Sequence, residues 1–308
     1  MTDSLGKVII AGGSGFLGQT LTSSLVEDGY EVVILGRGDK KDLVGKFVKW
    51  DAKNLGDWSR ELEGATALFN LTGRSVDCRY TEENKALILN SRVDSTKVLG
   101  EAIRSCDKPP CVWLNASTAT IYNDRRGDLP PHDEQSEGNA EGFSEEVGRA
   151  WEKAFFDATV KGVRQVAMRI SIVLGEGGGA FPVMRRLTKL GLGGKQGPGT
   201  QWISWLHIDD WVGIAKFLLN NSEISGPVNL AVPNPVTNVD FMRAMRNRFA
   251  PFGIGFPSPT PAIYLGAVLL GTAPELVLKS RKVISKILND NKYDFEFSQI
   301  KTAIDSFA

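Results

Sequence analysis

Cysteine is scarce in this 308-residue chain, which holds only Cys78, Cys106 and Cys111. Their spacing fits no metal-ligand pattern and lays out no disulfide framework, so no metal is expected and the setting reads as a reduced, cytoplasmic one. Excess charge is missing too. The 36 Lys and Arg balance 36 Asp and Glu, which removes the general attraction expected of a nucleic-acid or membrane-surface binder. Long hydrophobic runs are absent: the most apolar late stretch, Ile263 to Leu278, is broken by Gly266, Gly271, Pro274 and Glu275 and is too short to span a bilayer. The first residues lack the basic-then-apolar pattern of a signal segment, and there is no internal repeat or low-complexity tract. What remains is ordinary globular composition, 42% hydrophobic and 23% charged, with chain enough for one large core or a core plus a lobe.

The first 37 residues carry the strongest signal. Val8-Ile9-Ile10-Ala11 reads as a buried strand that runs into Gly12-Gly13-Ser14-Gly15-Phe16-Leu17-Gly18. Leu17, Leu21 and Leu25 then recur at helical spacing, Gly29 stands where that helix would end, and Glu31 to Leu35 is a second strand. A strand, a glycine turn, a helix and a strand in so short a span is the context that turns a glycine pattern into a dinucleotide-binding motif. Gly12 allows the sharp turn, Gly15 brings backbone close to a pyrophosphate, and Gly18 allows close packing of the helix. The spacing here is G-x-x-G-x-x-G, and an ordinary glycine-rich turn is the bland alternative. The residues after the second strand, Gly36-Arg37-Gly38-Asp39-Lys40-Lys41, indicate the cofactor. Arg37 comes first, and its planar fork suits the 2′-phosphate of NADP; Asp39, two residues on, argues for NAD. NADP is the expectation.

Strand and helix signals alternate through the first half. Strands are expected at Lys46–Trp50, Thr66–Leu71, Cys111–Ala116 and Val163–Ile170, and helices at Glu82–Cys106 and Ser144–Lys161. This alternation specifies an α/β fold, a Rossmann-type doubly wound parallel sheet with ligands at the carboxyl ends of its strands. After Leu174 the chain becomes rich in glycine and proline, with a return to the sheet over 203–232. The expected division is a dinucleotide-binding domain over 1–174 with that return, and a smaller substrate lobe made of 175–202 and 233–308, the latter with two helical stretches.

Several motifs occur together. They are the glycine turn, Asp51 after a third strand, Asn70-Leu71-Thr72-Gly73 after a fourth, Ser117-Thr118-Ala119-Thr120-Ile121-Tyr122 after a fifth, and His207-Ile208-Asp209-Asp210-Trp211. As a set they resemble the extended short-chain dehydrogenase/reductases. Asn90-Ser91-Arg92-Val93-Asp94-Ser95-Thr96, Trp151-Glu152, Arg169 with Val173-Leu174-Gly175, Gly177-Gly178-Gly179-Ala180 and Leu190-Gly191-Leu192-Gly193-Gly194 narrow the resemblance to one atypical branch. This is the epimerase family, labelled as nucleoside-diphosphate-sugar epimerases. The tail from Pro257 through Lys282-Val283 is similar to that branch's small C-terminal domain, so the resemblance covers essentially the whole chain. It implies that Gly36 and Arg37 meet the adenosine phosphate, that Leu71 and Thr72 line the middle of the cofactor, that Arg92 reaches it from the long helix and that Val173 lies beside the nicotinamide. It also implies that Asp51 accepts from the adenine amino group. Plain structural roles fit the same positions: core for Leu71 and Val173, a solvated helix residue for Arg92, a turn cap for Asp51.

The wider superfamily works with a tyrosine and a lysine four residues apart on one helix face. Here Tyr30, Tyr80, Tyr122, Tyr264 and Tyr293 are followed four residues on by Ile34, Asn84, Arg126, Val268 and Phe297. Aligned on Glu152, Ser144 takes the tyrosine's place and Gly148 the lysine's, as the atypical branch also departs from the motif. Thr118 stands at the superfamily's Ser/Thr position and is the candidate to polarise a substrate oxygen; Tyr122, four residues on, is a candidate acid that is commonly structural in relatives. His207 with Asp209 and Asp210 reads better as a turn and helix cap than as a base, and His132-Asp133-Glu134 as a solvated loop. Two functions follow. One is an NADP-dependent oxidoreductase or epimerase acting on a small polar substrate, a nucleotide sugar among the candidates, with no nucleic-acid or membrane partner. The other is a non-catalytic NADP(H)-binding sensor or partner-binding module. Isomerisation or lyase chemistry is a weaker third, for which the chain offers no evident base.

Overall fold

Short apolar runs bounded by glycine and proline have the length of buried strands, and amphipathic stretches of three turns or more have the length of covering helices. The computed structural model describes residues 4–38, 43–138, 140–271 and 273–307. In chain order its elements are β1 (Lys7–Ala11), α1 (Phe16–Glu27), β2 (Glu31–Gly36), β3 (Lys46–Lys49), β4 (Ala67–Asn70), α2 (Glu82–Arg104), β5 (Val112–Thr118), α3 (Phe143–Asp157), β6 (Arg164–Ile170), β7 (Ile172–Leu174), α4 (Phe181–Leu187), β8 (Trp202–Ile203), β9 (Trp205–His207), α5 (Ile208–Asn220), β10 (Gly226–Leu230), β11 (Val236–Thr237), α6 (Asn238–Phe249), α7 (Thr260–Leu270), α8 (Glu275–Leu278), α9 (Lys286–Asp290) and α10 (Ile300–Asp305). Among the described residues no helix is long and apolar enough to cross a membrane.

Seven strands form one sheet in the order β10-β6-β5-β4-β1-β2-β3, and every neighbouring pair is parallel. The chain builds outward from β1 through β2 and β3, then crosses to β4 and builds the other way. That reversal leaves a crevice at the carboxyl ends of β1 and β4, and the glycine turn leaves β1 there. The expected Rossmann-type doubly wound sheet is what the chain forms.

Because side chains alternate across a strand, the sheet supports a core on each face. Val8, Ile10, Ile34, Phe69, Leu114 and Met168 pack with Leu21 and Leu25 of α1 and with Trp211, Ile214 and Leu218 of α5. Ile9, Val33, Leu68, Trp113 and Ala167 pack with Leu99 and Ile103 of α2 and Phe155 of α3. The first of these cores continues into Phe241, Met242 and Met245 of α6 and Ala303 and Ile304 of α10.

Local signals hold at several element ends. After α1, Gly29 takes φ +97°, its N–H bonding Val26 O and that of Tyr30 bonding Leu25 O, a Schellman close that needs the glycine. Thr81 caps α2, its hydroxyl accepting from Asn84 N. Elsewhere the folded chain differs from the sequence expectation. The 175–202 region contains α4, with Pro182 in its first turn, and the last segment forms five α-helices among its described residues rather than two stretches. The three shortest of those, α8, α9 and α10, have four, five and six residues, fewer than two turns, too few to show a period.

His132-Asp133-Glu134 is not a solvated loop. His132 is buried, stacked on Tyr122 with ring centroids 4.9 Å apart. The C-terminal segment pins it: His132 N donates to Lys282 O and Ile284 N to His132 O, while Glu134 accepts from Asn229 N, Ser285 Oγ and Lys286 N. The polar groups that looked solvated bond chain about 150 residues away.

Candidate functional site

The glycine turn is closed by sterics at three points and open at one. Gly12 has φ +78°, and a Cβ there would lie 2.9 Å from the Leu71 carbonyl carbon. A Cβ on Gly13 would meet the Ile10 and Ile34 side chains at 3.1 Å, and one on Gly18 would lie 2.5 Å from Gly13 Cα. On Gly15 it would meet only Gly12 O, at 3.5 Å, so the Gly15 face of the turn is open. Gly15 also begins α1 without a side-chain cap, and the first turn holds no acidic residue. The first N–H groups of the helix, over Phe16, Leu17 and Gly18, therefore point out as an anion site. Ser14 lies in the turn between them. The Phe16 ring is enclosed by the glycine run: Cβ atoms on Gly175, Gly177 and Gly178 would fall within 3.0 Å of it.

At the end of β2, Gly36 lies flush against Phe47, where a Cβ would sit 2.5 Å from Cε2. Arg37 follows, exposed and with no hydrogen bond or ion pair to another described residue. Asp39, Lys40 and Lys41 lie outside the described residues. Beyond β3, Asp51 Oδ1 accepts from Lys53 N at 2.8 Å and Asn54 N at 2.9 Å, and Oδ2 from Asn54 Nδ2 at 2.7 Å. These bonds, with those from Asn54 the largest, hold the carboxyl down at about 2. Asp51 thus caps its turn, on the rim of a cleft of about 460 Å³ that also touches Val48, Leu55 and Trp58.

The middle of the crevice is built from β4 and α2. Asn70 positions the segment after β4: its Oδ1 accepts from Thr72 N, and its Nδ2 donates to Asn115 Oδ1 and Thr96 Oγ1. Leu71, partly buried, rests on the core and ties to β1 through Leu71 N to Ala11 O at 2.8 Å. The Thr72 hydroxyl is buried with no hydrogen-bond partner among the described residues, a state that costs about 1–3 kcal/mol unless something else meets it. Arg92 is not a solvated helix residue. Its Nη1 donates to Arg74 O and Ile88 O, both at 3.0 Å, its Cζ lies 5.1 Å from the Trp151 ring centre, and burial pushes it down to about 10, so it stays charged at neutral pH. Val173 is buried on β7, paired with Leu206 of β9. An open helix N-terminus, an orphaned hydroxyl and a half-buried cation along one crevice fit a dinucleotide.

At the far end, Thr118 closes β5. Its Oγ1 accepts from Thr120 N at 3.1 Å and shares a bond with Thr120 Oγ1 at 2.9 Å. Gly148 of α3 backs onto it: a Cβ there would lie 2.9 Å from Thr118 Cγ2, so the Thr118 methyl stands where a longer side chain would begin. Ser144, one turn earlier, donates to Glu275 Oε1. Tyr122 is wholly buried. Its hydroxyl accepts from Arg169 Nη1 at 2.6 Å and donates to Asn229 Oδ1 at 2.9 Å, and burial is the main influence raising its pKa. Arg169 in turn makes two 2.8 Å bonds to Glu152, which also accepts from Ser117. This network ties β5, α3, β6 and β10 together beneath Thr118 and keeps the Tyr122 hydroxyl inside it. A cleft of about 880 Å³ opens between the loop before α2 and α7–α8, lined by Arg79, Tyr80, Arg126, Tyr264, Val268 and Glu275 among others.

His207 is a helix cap. Its Nδ1 accepts from Asp209 N at 3.2 Å, its Nε2 lies 3.1 Å from Ser306 Oγ, and Phe297 and Phe307 enclose the ring. Asp210 accepts from Glu296 N and Phe297 N. Among the described residues no group of His, Cys, Asp and Glu could hold a metal ion. Sequence reasoning passed over Tyr80, which was weighed only for a lysine four residues on, and over Lys279, which pairs with Glu145 at 2.6 Å and Glu275 at 3.2 Å; neither carries a local motif.

A model of the NAD dependent epimerase/dehydratase family matches residues 8–231. Epimerase family protein YfhF of Bacillus subtilis (strain 168) is 30% identical over 303 residues, 97% of this chain and 96% of the relative. Among solved structures, the human epimerase family protein SDR39U1 (isoform 2) with NADPH superposes with a TM-score of 0.84 at 28% identity, covering 97% of this chain and 98% of that one. A nucleoside-diphosphate sugar epimerase from Corynebacterium glutamicum gives a TM-score of 0.77 at 31% identity; the match takes in 98% of this chain and 57% of that longer chain.

Proposed function

The chain belongs to the NAD dependent epimerase/dehydratase family, and from that premise we propose that it is an NADP(H)-dependent oxidoreductase or epimerase of small polar substrates, nucleotide sugars among them. The observation that carries the reading is the open face of the glycine turn at Gly15 over an uncapped helix N-terminus. The resemblance to a human relative whose structure holds NADPH supports it. A nicotinamide dinucleotide supplies a hydride donor or acceptor at its C4 when bound.

The chain's own residues divide the remaining work. The N–H groups opening α1 hold the pyrophosphate, Gly36 leaves room beside β2, and the free fork of Arg37 meets the 2′-phosphate. Asp51 retains acceptor capacity toward adenine. Thr72 offers its hydroxyl at the middle, Arg92 supplies a fixed positive charge, and Val173 gives the nicotinamide an apolar neighbour. Thr118 holds a substrate oxygen. Tyr122 acts from below as a positioning residue, through the Arg169–Glu152 pair. The regions 175–202 and 233–308 serve as the substrate lobe.

Arg37→Ala tests the cofactor assignment. A lost charge-assisted contact of about 1.5–3 kcal/mol corresponds to NADPH binding weakened by roughly 10- to 150-fold, with NADH binding little changed. Equal losses for both would overturn the NADP assignment. Oxidation of NADPH across a panel of carbonyl compounds and nucleotide sugars tests turnover. The contact of Gly148 with Thr118, which leaves no room for a lysine, favours a second reading, a non-catalytic NADP(H) sensor. Tight binding with no turnover on any panel member would select it.

A further inference from the structure

One phenol stands at the head of α3 with its hydroxyl held by no close hydrogen bond among the described residues. Tyr80 lies on the loop between β4 and α2. Its ring is half-buried, edge-on to Phe143 with centroids 5.0 Å apart, while its hydroxyl oxygen is buried and makes no close hydrogen bond among the described residues, Ser144 being the polar side chain near enough to bear on it. A native structure keeps few such groups, and each calls for a cause. The surroundings suggest one. Phe143 opens α3, and the next residue, Ser144, lies beside the phenol. Ser144 is one turn before Gly148 on the same helix face, and Gly148 abuts Thr118. Arg92, whose guanidinium lies against Gly73 at the crevice, brings its positive charge to bear on the phenol from the α2 side.

We infer that Tyr80 is the proton donor of this site, its hydroxyl meeting the oxygen of a carbonyl substrate held by Thr118, with solvent of the adjoining cleft returning the proton. The inference rests on the oxidoreductase reading above. In the reducing direction the carbonyl carbon gains a hydride from a reduced nicotinamide dinucleotide, which is oxidised, and the carbonyl oxygen gains the Tyr80 proton. The π pair of the carbonyl becomes the new O–H bond. The tyrosinate then regains a proton from solvent in the 880 Å³ cleft that Tyr80 itself lines, while Glu275, a carboxylate paired with Lys279, accepts from Ser144 and holds it beside the phenol. Oxidation runs the same path backwards.

The charges around Tyr80 suit this role. Burial pushes the phenol up to about 12; Ser144 and Arg92 pull it down, and Glu275 and Cys78 push with burial. The resting phenol is therefore protonated at neutral pH, the form an acid needs. Lys279 faces the group through Glu275, to which it is paired. Arg92 steadies the tyrosinate when it forms, and so does for Tyr80 what a lysine one turn on does in the wider superfamily.

Tyr80→Phe keeps the ring packed on Phe143, so the fold should survive. Two readouts decide the matter. The first needs no substrate: a fluorotyrosine at position 80, followed by fluorine NMR during a pH titration. NADP+ should lower its midpoint by about one unit or more, since each unit is about 1.4 kcal/mol of interaction with the cationic ring. A midpoint that ignores NADP+ overturns the inference. The second uses whatever panel substrate the protein turns over. Tyr80→Phe should cut kcat by roughly 100- to 10,000-fold with NADPH binding unchanged, and Ser144→Ala should cut it less while altering the pH profile. Full kcat with an unaltered profile in Tyr80→Phe overturns the inference. If nothing is turned over but the fluorotyrosine responds, the oxidoreductase reading fails while Tyr80 beside the nicotinamide stands.

Discussion

The turn at Gly12–Gly18 and the wall formed by Tyr80, Thr118, Ser144 and Gly148 lie along one crevice, yet they are made in different ways. The turn is seven consecutive residues, and its tightest contact, Gly18 on Gly13, is between near neighbours in the chain. The wall comes from the loop before α2, the end of β5 and the start of α3. Ser144 closes it onto Glu275, 131 residues away. A local turn can be specified by a few steric requirements. A wall of this kind exists only when separate elements arrive together, held by a buried ion pair. The cofactor end should therefore fail through backbone clashes and the chemical end through the loss of its support.

The largest effect is expected at that support. Glu152→Ala leaves Arg169 buried and unpaired, and breaking such a pair costs about 3–5 kcal/mol; a lowered urea midpoint would record it. A loss below about 1 kcal/mol would mean that the wall does not depend on the pair. The turn offers a smaller and sharper contrast. Gly18→Ala places a methyl against backbone that cannot yield, and should cost about 1–3 kcal/mol as overpacking does. Gly15→Ala points its methyl into open space, so stability should move by less than about 0.5 kcal/mol while NADPH binding weakens about tenfold, near 1.4 kcal/mol. If Gly15→Ala unfolds the protein or binds as the parent does, the turn is not built as described.

The smallest effect is one of pH. Burial lowers the pKa of both His132 and His207; Arg125 adds to the lowering at His132, while Asp209 opposes it at His207. The unfolded chain then binds more protons than the folded one below the ordinary histidine value of about 6.5. Stability from these two rings is complete above that pH and falls as the solution is acidified through it. Urea midpoints at about pH 7.5 and about pH 5.5 should show the drop, and His207→Phe should reduce it. A flat profile would count against the buried placement of the two rings.

Much of the fold was legible. The central strands β1, β2, β4 and β5 each carry an apolar run that can be read directly, because a strand buried on both faces needs one, while the edge strand β3 shows as Phe47 and Val48 between lysines. The glycine turn was equally readable, since each glycine answers to a separate steric need. The short helices near the C-terminus were not, being too brief to show a period, and α4 was hidden between glycine runs. His132 and Glu134 misled for a different reason: a polar loop looks the same in sequence whether it meets water or another segment. For Arg92 the sequence left two roles open, and only the contacts with Trp151 and two backbone carbonyls show that it is held.

By itself the sequence determined the doubly wound parallel sheet and the glycine turn, because period, strand length and glycine spacing act over a few residues at a time. It also determined that no tyrosine has a lysine four residues on. Tertiary structure alone decided what stands in that place. The Thr118 methyl fills the space at Gly148, Tyr122 is drawn down into the Arg169 network, and Tyr80 reaches the head of α3 beside Ser144. Those outcomes depend on which distant surfaces are pressed together, and residue order encodes that only through the packing of the whole chain.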